Sequence, residues 1–71
     1  MRSTERNDLE KRINRVLASL AEFNIKPHCI RLSRYNRRLL RYYADYKGIP
    51  LYMSLLVDDF VIEAGDKEQW Q

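Results

Sequence analysis

Cysteine, histidine and glycine are scarce in this chain, and their scarcity removes whole classes of protein. The single cysteine, Cys29, excludes a disulfide framework. His28 stands next to it, and one histidine beside one cysteine has no zinc-ligand spacing. On a strand two adjacent side chains point to opposite faces, which is poor geometry for a Cys–His nucleophile pair. The two glycines, Gly48 and Gly65, are too far apart to cradle a phosphate in one loop. No apolar run approaches the roughly 18 residues of a membrane span. The segment Met1-Arg2-Ser3-Thr4-Glu5-Arg6 leads into a charged amphipathic stretch rather than a signal-peptide core, so the expected compartment is the reducing cytoplasm. There is no internal repeat and no low-complexity segment. A length of 71 residues fits one small domain.

Apolar residues make up 45% of the chain and are spread along it, which argues against disorder. A domain of this size buries only about 60% of the surface its unfolded chain exposes, so a partner or a second copy would be a natural supplement. The 13 basic and 10 acidic residues give a net charge of +3, but their distribution is uneven. Residues 1–48 hold 12 basic residues against Glu5, Asp8, Glu10, Glu22 and Asp45, a net of +7. Residues 49–71 hold Lys67 against Asp58, Asp59, Glu63, Asp66 and Glu68, a net of −4. Arginine supplies most of the basic charge, and its planar fork suits phosphate and carboxylate.

Periodicity predicts five elements in the order α-β-α-β-β. Leu9, Ile13, Val16, Leu17, Leu20 and Phe23 form one stripe of a helix from about Asp8 to Phe23. Asn7 and Glu10 form a capping-box-like pair at its start, with Thr4 an alternative start one turn earlier. Asn24 suits a left-handed C-terminal residue, and Pro27 blocks continuation. Residues 28–32 read as a strand that points Ile30 and Leu32 one way and Cys29 and Arg31 the other. Ser33 then caps a second helix, Arg34 to Lys47, which Gly48 terminates. Residues 51–55 read as a second strand. Asp58-Asp59 supplies a turn and residues 60–63 a third strand, paired with the second as a hairpin. Residues 1–6 and 64–71 are expected to fray. The predicted fold is a single α+β domain, a three-stranded mixed sheet with two helices on one face. The other sheet face would show Cys29, Arg31, Tyr52, Ser54, Val61 and Glu63. That face is only half polar, which points to a cover such as another copy.

The second helix carries the functional signal. Arg34, Arg37, Arg38 and Arg41 project within about 100° of arc, with Tyr35, Leu39, Tyr42, Tyr43 and Tyr46 on the opposite, core-facing side. Arg31 lies just upstream. Like charges at this spacing mildly destabilise a helix. The arginines therefore either meet the chain's own acidic end or serve an anionic partner. That partner is an acidic protein surface, another copy of the chain, or nucleic acid. No helix-turn-helix, zinc-finger or RNP-like pattern accompanies them. Tyr52, Val61 and Trp70 are candidate interface residues, Trp70 as an exposed aromatic anchor in a polar tail. Asp58-Asp59 reads as turn chemistry rather than an acid–base or metal pair. No catalytic, cofactor or metal residue is expected.

The stretch from Leu39 to Glu63, with Gly48-Ile49-Pro50, a strand and an acidic turn, resembles pieces of bacteriophage structural and accessory proteins. The likeness covers about a third of the chain and carries no residue role. The resulting expectation is a small non-enzymatic interaction or assembly module, with nucleic-acid binding through the same arginines as the alternative.

Overall fold

Leu9, Ile13 and Leu17 recur every four residues, and they form the inward stripe of the longest element, α1 (Arg2–Glu22). A computed structural model describes residues 2–65 of the chain. In it α1 begins at Arg2 rather than near Asp8, so Asn7 lies inside the helix and caps nothing. Its C-terminal end is closed as the sequence predicts. Asn24 adopts φ 56°, Asn24 N–H donates to the Ala21 carbonyl (3.1 Å) and Ile25 N–H to the Leu20 carbonyl (2.9 Å). That pair of bonds is a Schellman closure. The stripe is not buried along its whole length: Leu9 and Ile13 are fully enclosed, whereas Phe23 is 72% exposed.

The remaining elements are β1 (Pro27–Leu32), α2 (Arg34–Leu39), β2 (Asp45–Tyr46), β3 (Ile49–Met53) and β4 (Phe60–Ala64). They make a small α+β fold with a mixed sheet of strand order β2-β3-β1-β4. β1 and β3 are parallel neighbours, with Ile30 opposite Leu51 and Arg31 opposite Tyr52. β4 lies antiparallel on the other side of β1, with Ile30 opposite Ile62 and Arg31 opposite Val61.

Two expectations are corrected here. The last two strands do not form a hairpin with each other. β4 crosses to the far edge of β1, where Phe60 and Ile62 stand opposite Leu32 and Ile30 and pack against the core. A fourth strand also appears where a helix was expected. α2 ends at Leu39, and Asp45-Tyr46 turns back on Ile49-Pro50 as a two-residue hairpin. Its loop residues, Lys47 (φ 53°) and Gly48 (φ 82°), are both left-handed, the type I′ geometry that matches strand twist. Gly48 is thus a hairpin residue and not the end of a helix.

The reason lies in the side chains of 42–46. Tyr-Tyr-Ala-Asp-Tyr is a poor helical run except for Ala44, and tyrosine favours extended pleated surfaces. As a strand residue Tyr46 is 3% exposed, packs in the core and donates its hydroxyl to Asn14 Oδ1 (2.7 Å). Leu40, rather than Leu39, is the fully buried leucine of this region. One core therefore joins Leu9 and Ile13 of α1, Leu40, Tyr46, and Ile30, Leu32, Ile49 and Leu51 of the sheet.

Candidate anion-binding surface

Ser33 stops β1 and starts α2, its Oγ accepting the Asn36 N–H at 3.2 Å. Asn36 is buried beneath the helix and donates Nδ2 to the Asp59 carbonyl (3.0 Å) and to Asp59 Oδ1 (2.6 Å). Burying the Asn36 side of α2 turns the arginines outward. Arg34, Arg37, Arg38 and Arg41 line one open hollow of about 500 Å³, with Met53 as its apolar wall. Four of the five arginines singled out in the sequence thus meet at one place.

They are not equivalent. Arg37 donates to the carbonyls of Leu40 (2.9 Å) and Tyr43 (3.3 Å) and so closes the C-terminal end of the short helix. Arg41 donates to the Arg38 carbonyl (3.3 Å) and the Tyr42 hydroxyl (2.9 Å), with its guanidinium 4.6 Å from the centre of the Tyr42 ring. The side chains of Arg34 and Arg38 make no hydrogen bond or ion pair with the described residues. None of the four is in an ion pair with a described carboxylate. By contrast Arg6, Arg12 and Arg31 pair with Glu10, Asp8 and Asp59, and Glu63 respectively.

Arg31 is the one arginine that leaves the group. It lies on the open face of the sheet, where Nε donates to Glu63 Oε1 at 2.5 Å. The Cys29 thiol donates to the same oxygen at 2.9 Å. The two donors hold the Glu63 carboxyl below its ordinary range, the Cys29 bond first and the Arg31 bond second. Donating this bond to Glu63 in turn raises the pKa of the Arg31 guanidinium. Burial, followed by the bond to Glu63, pushes the Cys29 thiol up to about 11. At neutral pH Cys29 is a thiol and a weak nucleophile. Tyr52 (51% exposed) and Val61 (49% exposed) flank Arg31 in register on this face. Trp70 lies outside the described residues.

The tyrosines depart most from expectation. They do not share one core-facing side. Tyr46 is buried, but Tyr35 is 58% exposed and Tyr42 74% exposed, both beside the arginines. With the helix cut short at Leu39, the residues beyond it no longer follow a helical stripe. Tyr35 donates its hydroxyl to Glu5 of α1, and Tyr43 reaches Glu10 at 3.4 Å. Tyr35, Arg38, Leu39 and Arg41 line a second hollow of about 350 Å³. The sequence also gave no warning of Leu55 and Leu56, which stand almost fully in solvent after β3.

Among the described residues no group of three His, Cys, Asp or Glu could hold a metal ion, and no helix is long and apolar enough to cross a membrane. Comparisons with family models, curated proteins and solved structures return no match, so no role is carried over from a relative and the likeness to bacteriophage proteins gains no support.

Proposed function

We propose that this protein is a small binding module, not an enzyme, that engages an anionic partner through Arg34, Arg37, Arg38 and Arg41. The observation that carries the reading is that four arginines line one open hollow, none of them paired with a described carboxylate. Crowding like charges is unfavourable in isolation, and an incoming anion relieves it. The carboxylates of Asp59 and Glu63 are engaged with Arg12 and Arg31 rather than with these four arginines. The protonated Cys29 and the lack of a nucleophile–base pair at the hollow favour binding over chemistry.

Arg34→Gln with Arg38→Gln is the informative double variant, because neither side chain makes a hydrogen bond or ion pair with the described residues. Wild-type protein is expected to stay on a heparin support at about 50 mM salt and the double variant to wash through, with unchanged circular dichroism. Passage of the wild-type protein through the column would sink the reading.

A second reading, assembly through the open sheet face, is favoured by one separate observation. Tyr52 and Val61 form a half-exposed apolar row around Arg31, whose charge is already met by Glu63. Such a row presents apolar surface with little uncompensated charge, which suits contact with a second copy.

A further inference from the structure

We propose that the anionic partner is single-stranded nucleic acid, with phosphates in the arginine hollow and a base stacked at the tyrosines beside it. This rests on the anion-binding reading above and adds the class of ligand.

Two neighbouring hollows carry the argument. One is lined by Arg34, Arg37, Arg38, Arg41 and Met53, the other by Tyr35, Arg38, Leu39 and Arg41. They share Arg38 and Arg41, so a cationic hollow adjoins one walled by Tyr35 and Leu39, and Tyr42, which lines neither, lies against the shared Arg41. A nucleotide has the matching division, a phosphate anion joined through a sugar to a flat ring with apolar faces. An acidic peptide offers carboxylates for the first basin and no required occupant for the second.

The tyrosines are also placed to receive a ring. Tyr42 is 74% exposed, its hydroxyl accepts from Arg41, and the Arg41 guanidinium lies 4.6 Å from the ring centre, so a base stacking there would extend an arginine–tyrosine stack. Base stacking on exposed aromatics tolerates any sequence because every base has a π-face, and arginine planes beside the ring add to it. A duplex keeps its bases stacked on one another and closed to these rings. α2 spans only six residues, too short to lay a row of base-reading side chains along a major groove. Phosphate contact with unstacked bases is the mode that uses both basins.

Fluorescence anisotropy with an oligothymidylate of about 12 nucleotides, a duplex of the same length and polyglutamate separates the possibilities. The single strand is expected to bind tightest. Tyr42→Leu should weaken it about tenfold with the salt slope unchanged, and Tyr42→Phe should restore it, because the ring is kept. Arg34→Gln should lower the slope of log affinity against log salt by about 0.7, one phosphate contact on a single strand. Duplex or polyglutamate binding as tightly as the single strand overturns the inference and leaves the anion-binding reading standing, as does Tyr42→Leu without effect. Failure of all three polyanions to bind at about 50 mM salt removes both.

Discussion

Asp59 joins three elements through one side chain and one carbonyl. Its carbonyl accepts from Ser33 N (3.0 Å) and Asn36 Nδ2 (3.0 Å), and its carboxylate takes Asn36 and the Arg12 guanidinium of α1. In the sequence it is half of an acidic turn, and nothing in Asp58-Asp59 distinguishes a solvated turn from a node under a helix. Removing the carboxylate leaves buried Asn36 with one acceptor fewer and Arg12 with Asp8 as its remaining described carboxylate partner. Asp59→Ala should cost about 1–3 kcal/mol in chemical denaturation, and Asp59→Asn, which keeps an acceptor, clearly less. Equal losses in the two variants would mean that the Asn36 bond is immaterial. Glu63 makes a pH prediction. Its folded pKa is depressed below the ordinary 4.5, so its contribution is present above that value and lost as pH falls through the lower folded value. Glu63→Gln should therefore reduce stability at neutral pH and flatten the loss on acidification, as read from denaturation midpoints on either side of the carboxylate range.

At the scale of elements, the hairpin Asp45–Met53 replaces the expected second half of a helix. A Cβ on Gly48 would meet nothing within 4 Å, so the glycine is required only by its φ of 82°. Gly48→Ala should destabilise by about 1 kcal/mol without loss of packing. Lys47→Asn should gain a few tenths of a kcal/mol, since asparagine tolerates the left-handed conformation better. A neutral Gly48→Ala would argue that this turn does not hold its type I′ form. The first helix, its Asn24 closure, the strand after Pro27 and the Ser33 cap were legible because each is written in local chemistry: spacing, a left-handed former, a φ-locked residue, a capping hydroxyl. The end of α2 was not legible. Arg34 to Lys47 has a helical alternation of arginine and tyrosine, and what overrides it is the burial of Leu40 and Tyr46 under α1, a contact between residues far apart in the chain. That misreading propagated to the site. Tyr35 stands exposed on α2 itself, and Tyr42, beyond the end of the broken helix, lies in solvent beside Arg41.

For the whole molecule, the sheet divides the candidate residues between two surfaces. Arg34, Arg37, Arg38 and Arg41 lie around α2, while Arg31, Tyr52 and Val61 lie on the uncovered sheet face. The two surfaces predict separable phenotypes. If the sheet face joins two copies, Tyr52→Glu should lower the mass measured by light scattering at high protein concentration and leave polyanion binding intact. A monomer mass for the wild-type protein, or an unchanged mass for Tyr52→Glu, would exclude that face as an interface. Arg34→Gln with Arg38→Gln should do the reverse and abolish polyanion binding at constant mass.

The amino-acid order by itself determined the secondary-structure class, the long amphipathic helix, the inward positions of Ile30, Leu32 and Leu51 and the concentration of arginine in residues 31–41, whereas Met53, expected inward, is half exposed beside the arginines. These follow from side-chain periodicity and from the local preferences of Asn24, Pro27 and Ser33. Only the tertiary structure decided that β4 joins β1, that 45–46 is a strand, that Arg31 pairs with Glu63 while Arg34, Arg37, Arg38 and Arg41 form no ion pair with a described carboxylate, and that two tyrosines face solvent next to them. Each of those outcomes depends on contacts between residues distant in sequence, whose burial and charge pairing outweigh the few tenths of a kcal/mol per residue that separate one local conformation from another.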